Sequence, residues 1–404
     1  MKERLWAAFW TALVATGLAA GPARAQGEKP VRIVVLEDLS GMYMGNGGPN
    51  MVLATRMAVE DFGGKALGRT VEVSALNHQN KPDLGSSLAG QAIDQGGATA
   101  LVLGGSSAAG LAATAIAKQR GITTMVTGGY AANFVREQCS PYGTQWAPST
   151  DALARTAAKG LVETGGKKWF LITADYAFGK ALSTDVSEAL KAAGGQVVGE
   201  AKHPLDSPDM ASQLLQAQSA NADVIALANA GPDLVTTIKQ AREFGIGSKL
   251  AALLVFTNNV VAMGLDVTQG MRFPVASYWD LNDDTRAFGK RIMERNKGEV
   301  PTMGHIMAYV STTHYLQSVE KAGTTDAAAV AKAMRQIPIK GKILQNATIQ
   351  PNGRVVMDMF LVEVKKPGES KDPKSDLYKV LETLPGRDLF TPADKSGCPT
   401  LVGQ

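Results

Sequence analysis

The residues best suited to chemistry in this sequence form a turn of glycine and serine, Gly104-Gly105-Ser106-Ser107. The turn follows an apolar run from Thr99 to Leu103 and precedes an alanine-rich segment, so it joins a predicted strand to a predicted helix. Unpaired N–H groups at a helix N-terminus attract anions, and glycine lets a ligand approach the backbone closely. The turn is therefore a candidate carboxylate site, although an ordinary serine helix cap would explain the same residues.

Other motifs of catalysis or cofactor binding are absent from the sequence. The four histidines lack metal-ligand or catalytic spacing, and the segment from Gly104 to Ala108 lacks the final glycine of a nucleophile elbow. Walker, HExxH and dinucleotide fingerprints do not occur. We therefore predict a binding protein with no catalytic residue, cofactor or metal. A secreted hydrolase, whose catalytic residues would meet only in the fold, is the alternative.

Aromatic, hydroxyl, amide and glycine residues recur where the predicted strands end. Open α/β sheets bind ligands beyond the carboxyl ends of their strands, so these positions are candidate ligand contacts. Aromatic loops that only close over a sheet edge are the simpler interpretation of any single one. Besides Ser106 and Ser107, the candidates are Tyr43, Gly128, Gly129, Tyr130, Tyr176, Phe178, Asn229, Phe256, Thr257 and Trp279.

The elements that must position these residues alternate between β-rich runs and helical patterns. The alternation from Val31 to Val126 predicts a parallel sheet covered by helices, and a second series from Asp151 to Ala276 predicts a second α/β lobe. Leu250 to Val255 is predicted as a strand of the second series. Three further helices between Thr285 and Gln336 are expected to pack on the first lobe.

Late in the chain, Gln350-Pro351-Asn352-Gly353 predicts a hairpin, and the polar tract from Lys365 to Ser375 predicts a surface loop. The chain would cross between the lobes about three times, which is typical of a hinge. The predicted parts are a signal peptide (1–25), a first lobe (26–146 and 278–340), a second lobe (147–277 and 341–370) and a C-terminal tail (371–404).

The N-terminus predicts export from the cytoplasm. Lys2 and Arg4 precede an apolar run from Leu5 to Ala20, and Ala23-Arg24-Ala25 is a small-residue cleavage site. We expect cleavage near Ala25 and a soluble protein in the periplasm of a Gram-negative cell. An uncleaved membrane anchor is the alternative, and a lipid-modified N-terminus is not expected because no cysteine follows the site.

Charge and cysteine content narrow the partners and the compartment. Removal of the predicted signal lowers the formal net charge from +4 to about +2, because three cationic residues and one acidic residue leave with it. No clustered basic face with aromatic residues predicts nucleic-acid binding. An oxidising compartment favours a disulfide between Cys139 and Cys398, which would fasten the tail to the body; two free thiols are the alternative.

The order of these features resembles the type I periplasmic solute-binding proteins of the leucine/isoleucine/valine-binding group, which serve ABC importers. The resemblance rests on Val31-Arg32-Ile33-Val34 with Ser40-Gly41, on the Gly104 turn, and on Ala174-Asp175-Tyr176-Ala177-Phe178-Gly179. It implies two Rossmann-like lobes joined by three crossovers, a ligand captured by hinge closure, a permease partner and a monomeric state. A sensor ectodomain remains a further alternative.

The resemblance also implies roles for individual residues. Ser106, Ser107, Gly128 and Gly129 would hold the ligand carboxylate, Phe178 would close over the ligand, and Asn229 and Trp279 match further contact positions. Amino-acid binders of this family place an acid near Phe256, where this chain has Phe256-Thr257-Asn258-Asn259. Burial of an ammonium group without a counter-charge is costly. We therefore expect an aromatic carboxylate, as in a branch of the family that this sequence also resembles, with an amino acid as the alternative.

Overall fold

The computed structural model describes residues 29–162 and 166–402 of the 404-residue chain. The predicted signal peptide (1–25) lies outside the described residues. Two parallel sheets, each associated with helices, confirm the predicted α/β class with two lobes.

The first lobe is built on a six-stranded sheet with the order β2-β3-β1-β4-β5-β6, in which every neighbouring pair is parallel except β2 and β3. All four residues of β4 are buried, as expected for a parallel strand covered on both faces. Its strands are β1 (Val31–Glu37), β2 (Lys65–Ala66), β3 (Arg69–Asn77), β4 (Ala100–Leu103), β5 (Thr123–Val126) and β6 (Gly143–Gln145).

The second lobe is built on a four-stranded parallel sheet with the order β10-β9-β7-β8. Its strands are β7 (Lys168–Ala174), β8 (Gln196–His203), β9 (Val224–Ala228) and β10 (Lys249–Ala252). The predicted strand from Leu250 to Val255 is thus too long, because the chain leaves the sheet after Ala252. Residues 253–255 are buried without belonging to a strand.

Two small antiparallel sheets complete the strands. The order β11-β14-β15 gives one of them, and the predicted hairpin forms the other through β12 and β13. The tail therefore contributes a strand that the sequence pattern did not predict. These strands are β11 (Arg272–Val275), β12 (Thr348–Ile349), β13 (Val355–Val356), β14 (Met359–Val364) and β15 (Tyr378–Leu384).

Helices cover both parallel sheets. The first series is α1 (Gly48–Asp61), α2 (Pro82–Asp94), α3 (Ser107–Arg120), α4 (Thr150–Val162), α5 (Ala177–Ala192), α6 (Ala211–Ser219) and α7 (Gly231–Glu243). The second series is α8 (Thr257–Met263), α9 (Leu265–Thr268), α10 (Asp283–Arg295), α11 (Met303–Ala322) and α12 (Ala327–Gln336). Both α10 and α11 pack against α1, as expected for helices that return to the first lobe. Among the described residues, no helix is both long and apolar enough to cross a bilayer.

A disulfide joins Cys139 to Cys398 and confirms the predicted pairing. The bond links the loop before β6 to a segment 259 residues later. It fixes the end of the tail to the first lobe.

Candidate ligand-binding site

A small cavity, with about 30 Å³ of free volume, lies where the carboxyl ends of the two parallel sheets face each other. This volume is far below the range of about 300–1,000 Å³ usual for small-molecule sites, so the two lobes would have to separate to admit an organic ligand. Both lobes line it, as does the start of α11. The lining residues are Tyr43, Asn46, Gly47, Met51, Gly105, Ser107, Gly128, Tyr130, Tyr176, Phe178, Ala230, Leu254, Phe256 and Gly304.

Ser107 gives the first-lobe side of the cavity a hydroxyl group. Its Oγ accepts hydrogen bonds from the backbone N–H groups of Tyr130 and Ala131, both at 3.1 Å. With the oxygen engaged by two donors, the hydroxyl proton is available to a ligand in the cavity. This hydroxyl can therefore donate to a carboxylate.

Ser106, the neighbouring serine, has a different role. It is the N-cap of α3, and its Oγ accepts a hydrogen bond from the Ala109 N–H at 3.3 Å. Ser106 does not line the cavity. The sequence left two interpretations of this turn open, a helix cap and a carboxylate site. Ser106 is the helix cap, and Ser107 is the serine that faces the cavity.

Aromatic rings dominate the second-lobe side of the cavity and meet rings from the first lobe. The Tyr130 ring packs edge-on against Phe178 and Phe256, with centroids 6.4 and 5.7 Å away. The Tyr43 hydroxyl donates to the Tyr176 hydroxyl at 2.9 Å, which joins the two lobes directly. A ring bound here would be enclosed by aromatic edges and faces.

Seven of the twelve predicted site residues line the cavity: Tyr43, Ser107, Gly128, Tyr130, Tyr176, Phe178 and Phe256. They come from five separated segments of the chain, which the strand ends bring together as predicted. Their contact with a ligand stays a prediction.

The other five predicted residues do not line the cavity. Ser106 caps α3, and the remaining four form contacts elsewhere in the fold. The Gly129 carbonyl accepts from Gln145 Nε2 at 2.8 Å. The Asn229 side chain is fully buried in the second lobe, where its Nδ2 lies 3.2 Å from His203 Nε2 and donates to Thr237 Oγ1. Thr257 begins α8 and donates to the Pro301 carbonyl, and Trp279 Nε1 donates to the Ser375 carbonyl. None of these five residues lines the cavity, and their contact with a ligand stays a prediction.

Several lining residues were not predicted from the sequence. Asn46 and Gly47 lie in the glycine-rich loop after β1. The composition of that loop does not indicate which of its residues face the cavity. Leu254 was assigned to a strand, and Gly304 lies in a helix outside the β-α alternation. Only the extra length of the glycine-rich loop could have pointed to the first two.

Glu37 is a further residue that the sequence analysis missed. It is the last residue of β1, and it is fully buried behind the cavity wall. Its Oε1 accepts a hydrogen bond from the Asp38 N–H at 2.9 Å, whereas its Oε2 has no hydrogen-bond partner among the described residues. Burial raises the pKa of this carboxyl to about 8, against hydrogen bonds from the backbone that favour its ionised form.

The lining of the cavity carries no ionised side chain. It includes no lysine, arginine, histidine, aspartate or glutamate in the part of the chain that the structure describes. The same described residues contain no cluster of histidine, cysteine and acidic side chains that could hold a metal ion. The lining therefore offers a charged ligand only hydroxyl groups, amide groups and the backbone.

The geometry agrees with what comparison with known proteins shows. A family model described as "Periplasmic binding protein" matches residues 30–371. A periplasmic binding protein from Burkholderia mallei is 41% identical, with a TM-score of 0.90 over 94% of this chain and 100% of that chain. A branched chain amino acid ABC transporter periplasmic ligand-binding protein from Burkholderia xenovorans LB400 is 32% identical, with a TM-score of 0.82 over 92% and 99%.

More distant proteins share the fold. A solute-binding protein of an ABC transporter from R. palustris, solved in complex with benzoate, is 19% identical, with a TM-score of 0.80 over 92% of this chain and 100% of that chain. Two Leu/Ile/Val-binding protein homologs from Brucella are 28% identical over 180 residues, and the chain spans about half the length of these curated relatives. Since the family model covers most of the sequence, the chain belongs to the periplasmic binding proteins.

Proposed function

We propose that this protein is the periplasmic substrate-binding component of an ABC uptake transporter and that it captures a small aromatic carboxylate. The ligand carboxylate would bind at Gly105 and Ser107, and its ring would lie among Tyr130, Phe178 and Phe256. Closure of the second lobe over the ligand would give the form that a permease recognises. The protein would act as a monomer without turnover of its ligand.

The observation that carries this proposal is the composition of the cavity wall. Rings from both lobes surround a small apolar space, and the hydroxyl proton of Ser107 is available at one side of it. A flat anion with one polar end fits such an uneven lining better than a ligand with charges at several positions. The benzoate complex of the R. palustris protein is consistent with this ligand class on the same fold.

A branched-chain or other amino acid is the second candidate, and Glu37 favours it. The segment around Phe256 supplies no acid. The buried carboxyl of Glu37, which adjoins Gly47 and Gly105 of the cavity lining, could instead pair with an ammonium group. The B. xenovorans protein, at 32% identity, is described as part of a branched chain amino acid transporter.

A screen by thermal shift separates the two ligand classes. Purified protein would be heated with benzoate and substituted benzoates, and in parallel with leucine, isoleucine and valine. A ligand that binds only the folded state raises the melting temperature. We expect stabilisation by at least one aromatic acid. Stabilisation by the amino acids alone would overturn the aromatic assignment, and chemical conversion of a bound ligand would instead support a hydrolase.

The two adjacent serines provide a matched test of the binding mode. Ser107→Ala removes the hydroxyl that faces the cavity, so we expect affinity for the carboxylate to fall about tenfold, as for loss of a hydrogen bond to a charged group. Ser106→Ala removes the helix cap and should lower the free energy of unfolding by about 1 kcal/mol while affinity is retained. Calorimetric titration and urea unfolding of both variants measure these effects. Equal affinity in Ser107→Ala and the wild type would contradict the assigned carboxylate position.

A further inference from the structure

We propose that Glu37 determines which ligand charge the cavity accepts: an anionic ligand head binds at Gly105 and Ser107 only while the Glu37 carboxyl carries a proton. This inference rests on the proposed function, because it assumes that a ligand carboxylate occupies the glycine-serine turn. It adds a specificity-determining residue and a proton to that binding event.

The glycine-serine turn is already wrapped around a carboxyl group of the chain itself. A Cβ atom placed on Gly104 would lie 1.8 Å from Glu37 Oε2, and one placed on Gly105 would lie 2.3 Å from Glu37 Oε1. A Cβ on Gly47 would lie 2.7 Å from Oε2. These three residues must therefore be glycine to admit the carboxyl, and two of them, Gly47 and Gly105, also line the cavity.

The same backbone thus borders two places for a carboxylate. Gly105 adjoins the Glu37 carboxyl and also lines the cavity, so a ligand carboxylate at Gly105 is close to the Glu37 carboxyl. Two negative charges at this separation in a water-poor interior repel each other strongly. One of the two groups must be protonated, and the ligand is the stronger acid when Glu37 is buried.

Among the residues that the structure describes, the groups that surround Glu37 supply no positive charge to relieve the repulsion. Asp38, the next residue in the chain, adds a second acid beside Glu37. Tyr130 faces Glu37 from the loop after β5. His78 Nε2 donates to the Gly104 carbonyl at 2.9 Å while its Nδ1 accepts from the Asn80 N–H. His305 Nε2 donates to the Gly47 carbonyl at 2.8 Å while its Nδ1 accepts from the Thr302 N–H.

Both imidazoles are therefore neutral, since each accepts at one ring nitrogen and donates at the other. Burial lowers the pKa of His78 below its usual value and lowers that of His305 to about 4. Oε2 of Glu37 has no partner among the described residues, so ionisation would leave a buried charged oxygen without a donor. The proton balance is simple: an ionised Glu37 takes up one proton when the carboxylate binds, and a protonated Glu37 takes up none.

Glu37→Gln tests this directly because glutamine imitates the protonated side chain in shape and cannot ionise. The affinity for benzoate, which stays ionised throughout, would be measured by calorimetry between pH 6 and pH 9. We expect equal affinities of wild type and variant at pH 6, and an affinity of the wild type about tenfold below that of the variant at pH 9. Titrations in buffers of different ionisation enthalpy should show proton uptake near pH 8 in the wild type alone.

Two results would overturn the inference. One is a parallel pH dependence of wild type and Glu37→Gln. The other is affinity for leucine that rises from pH 6 to pH 8 in the wild type and is lost in Glu37→Gln, because that result would assign an ionised Glu37 to an ammonium group.

A measurement without ligand keeps this inference separate from the proposed function. The carboxyl of Glu37 has a raised pKa in the folded protein, so the stability that its proton contributes is fully present below about pH 4.5 and is lost as the pH rises through about 8. The melting temperature of the wild type should therefore fall relative to Glu37→Gln between pH 5 and pH 9. If the melting temperature falls in this way but benzoate does not bind, only the proposed ligand is contradicted. If the melting temperature does not fall, the proton on Glu37 is contradicted.

Discussion

The two sides of the cavity differ in the groups that they offer a ligand. The first-lobe side combines the rings of Tyr43 and Tyr130 with turns of small residues, in which Gly105, Gly128 and the hydroxyl of Ser107 offer polar groups to the cavity. The second-lobe side consists of large rings and an aliphatic side chain, Tyr176, Phe178, Phe256 and Leu254. Under the proposed function this difference is a division of labour between the lobes: the first lobe would bind the charged end of the ligand, and the second lobe would cover its apolar body.

The largest effect is expected from loss of a ring on the second-lobe side. Phe178 is 1% exposed, so Phe178→Ala should lower the free energy of unfolding by about 3–5 kcal/mol and weaken benzoate binding about tenfold. Phe288→Ala is the control, because Phe288 is equally buried but does not line the cavity. Chemical unfolding and calorimetry measure both. Equal affinities of the two variants would contradict the proposed contact between Phe178 of the second lobe and the ligand.

A smaller effect is expected from a methyl group added on the first-lobe side. Gly105 and Gly121 have nearly the same positive φ, 65° and 64°, but only at Gly105 would a Cβ meet other atoms within 4 Å, those of Glu37 and Asp38. Alanine at either position destabilises the folded state because it must adopt a left-handed backbone conformation. Gly105→Ala should lower the free energy of unfolding by about 1–3 kcal/mol more, because its Cβ clashes with these atoms. Urea unfolding of both variants isolates this difference. Equal destabilisation would show that the turn does not enclose the Glu37 carboxyl tightly.

The smallest effect is expected where the two sides meet. Replacement of both Tyr43 and Tyr176 by phenylalanine removes the hydroxyl pair that joins the lobes, so closure should lose about 1 kcal/mol and affinity should fall about fivefold. Tyr378→Phe, at a buried hydroxyl remote from the cavity, should leave affinity unchanged. A calorimetric titration in which the double variant binds as tightly as the wild type would contradict a role for this pair in closure.

The sequence was sufficient to predict the alternating elements and the strand ends that meet at the cavity. Val224–Ala228 forms the strand that its apolar run predicts, and the predicted hairpin at Asn352-Gly353 is present. Leu250 to Val255 was misassigned because an apolar run is the same whether it lies in a strand or in a buried loop beneath a cavity. β11, β14 and β15 pair over long separations, which local patterns do not encode.

The site was less predictable than the fold. Ser106 and Ser107 are adjacent and chemically identical, and only the direction of the chain entering α3 decides that the first caps the helix and the second faces the cavity. Asn229 and Trp279 follow strands as ligand-binding residues do. The Asn229 side chain nevertheless pairs with Thr237 inside the second lobe, and the Trp279 indole donates to the distant Ser375 carbonyl. Glu37 escaped notice because an acid at the start of a glycine-rich loop usually lies in solvent. Its burial depends on Gly47 later in that loop and on Gly104 and Gly105 in the turn after β4.

The division of labour between the lobes is tested most directly by a crystal structure of the complex with the carboxylate that gives the largest thermal shift. We predict that a carboxylate oxygen lies within about 3 Å of Ser107 Oγ, at hydrogen-bond distance, while the apolar body of the ligand contacts Phe178 and Phe256. A carboxylate bound by the second lobe, with the apolar body against Gly105 and Gly128, would contradict it.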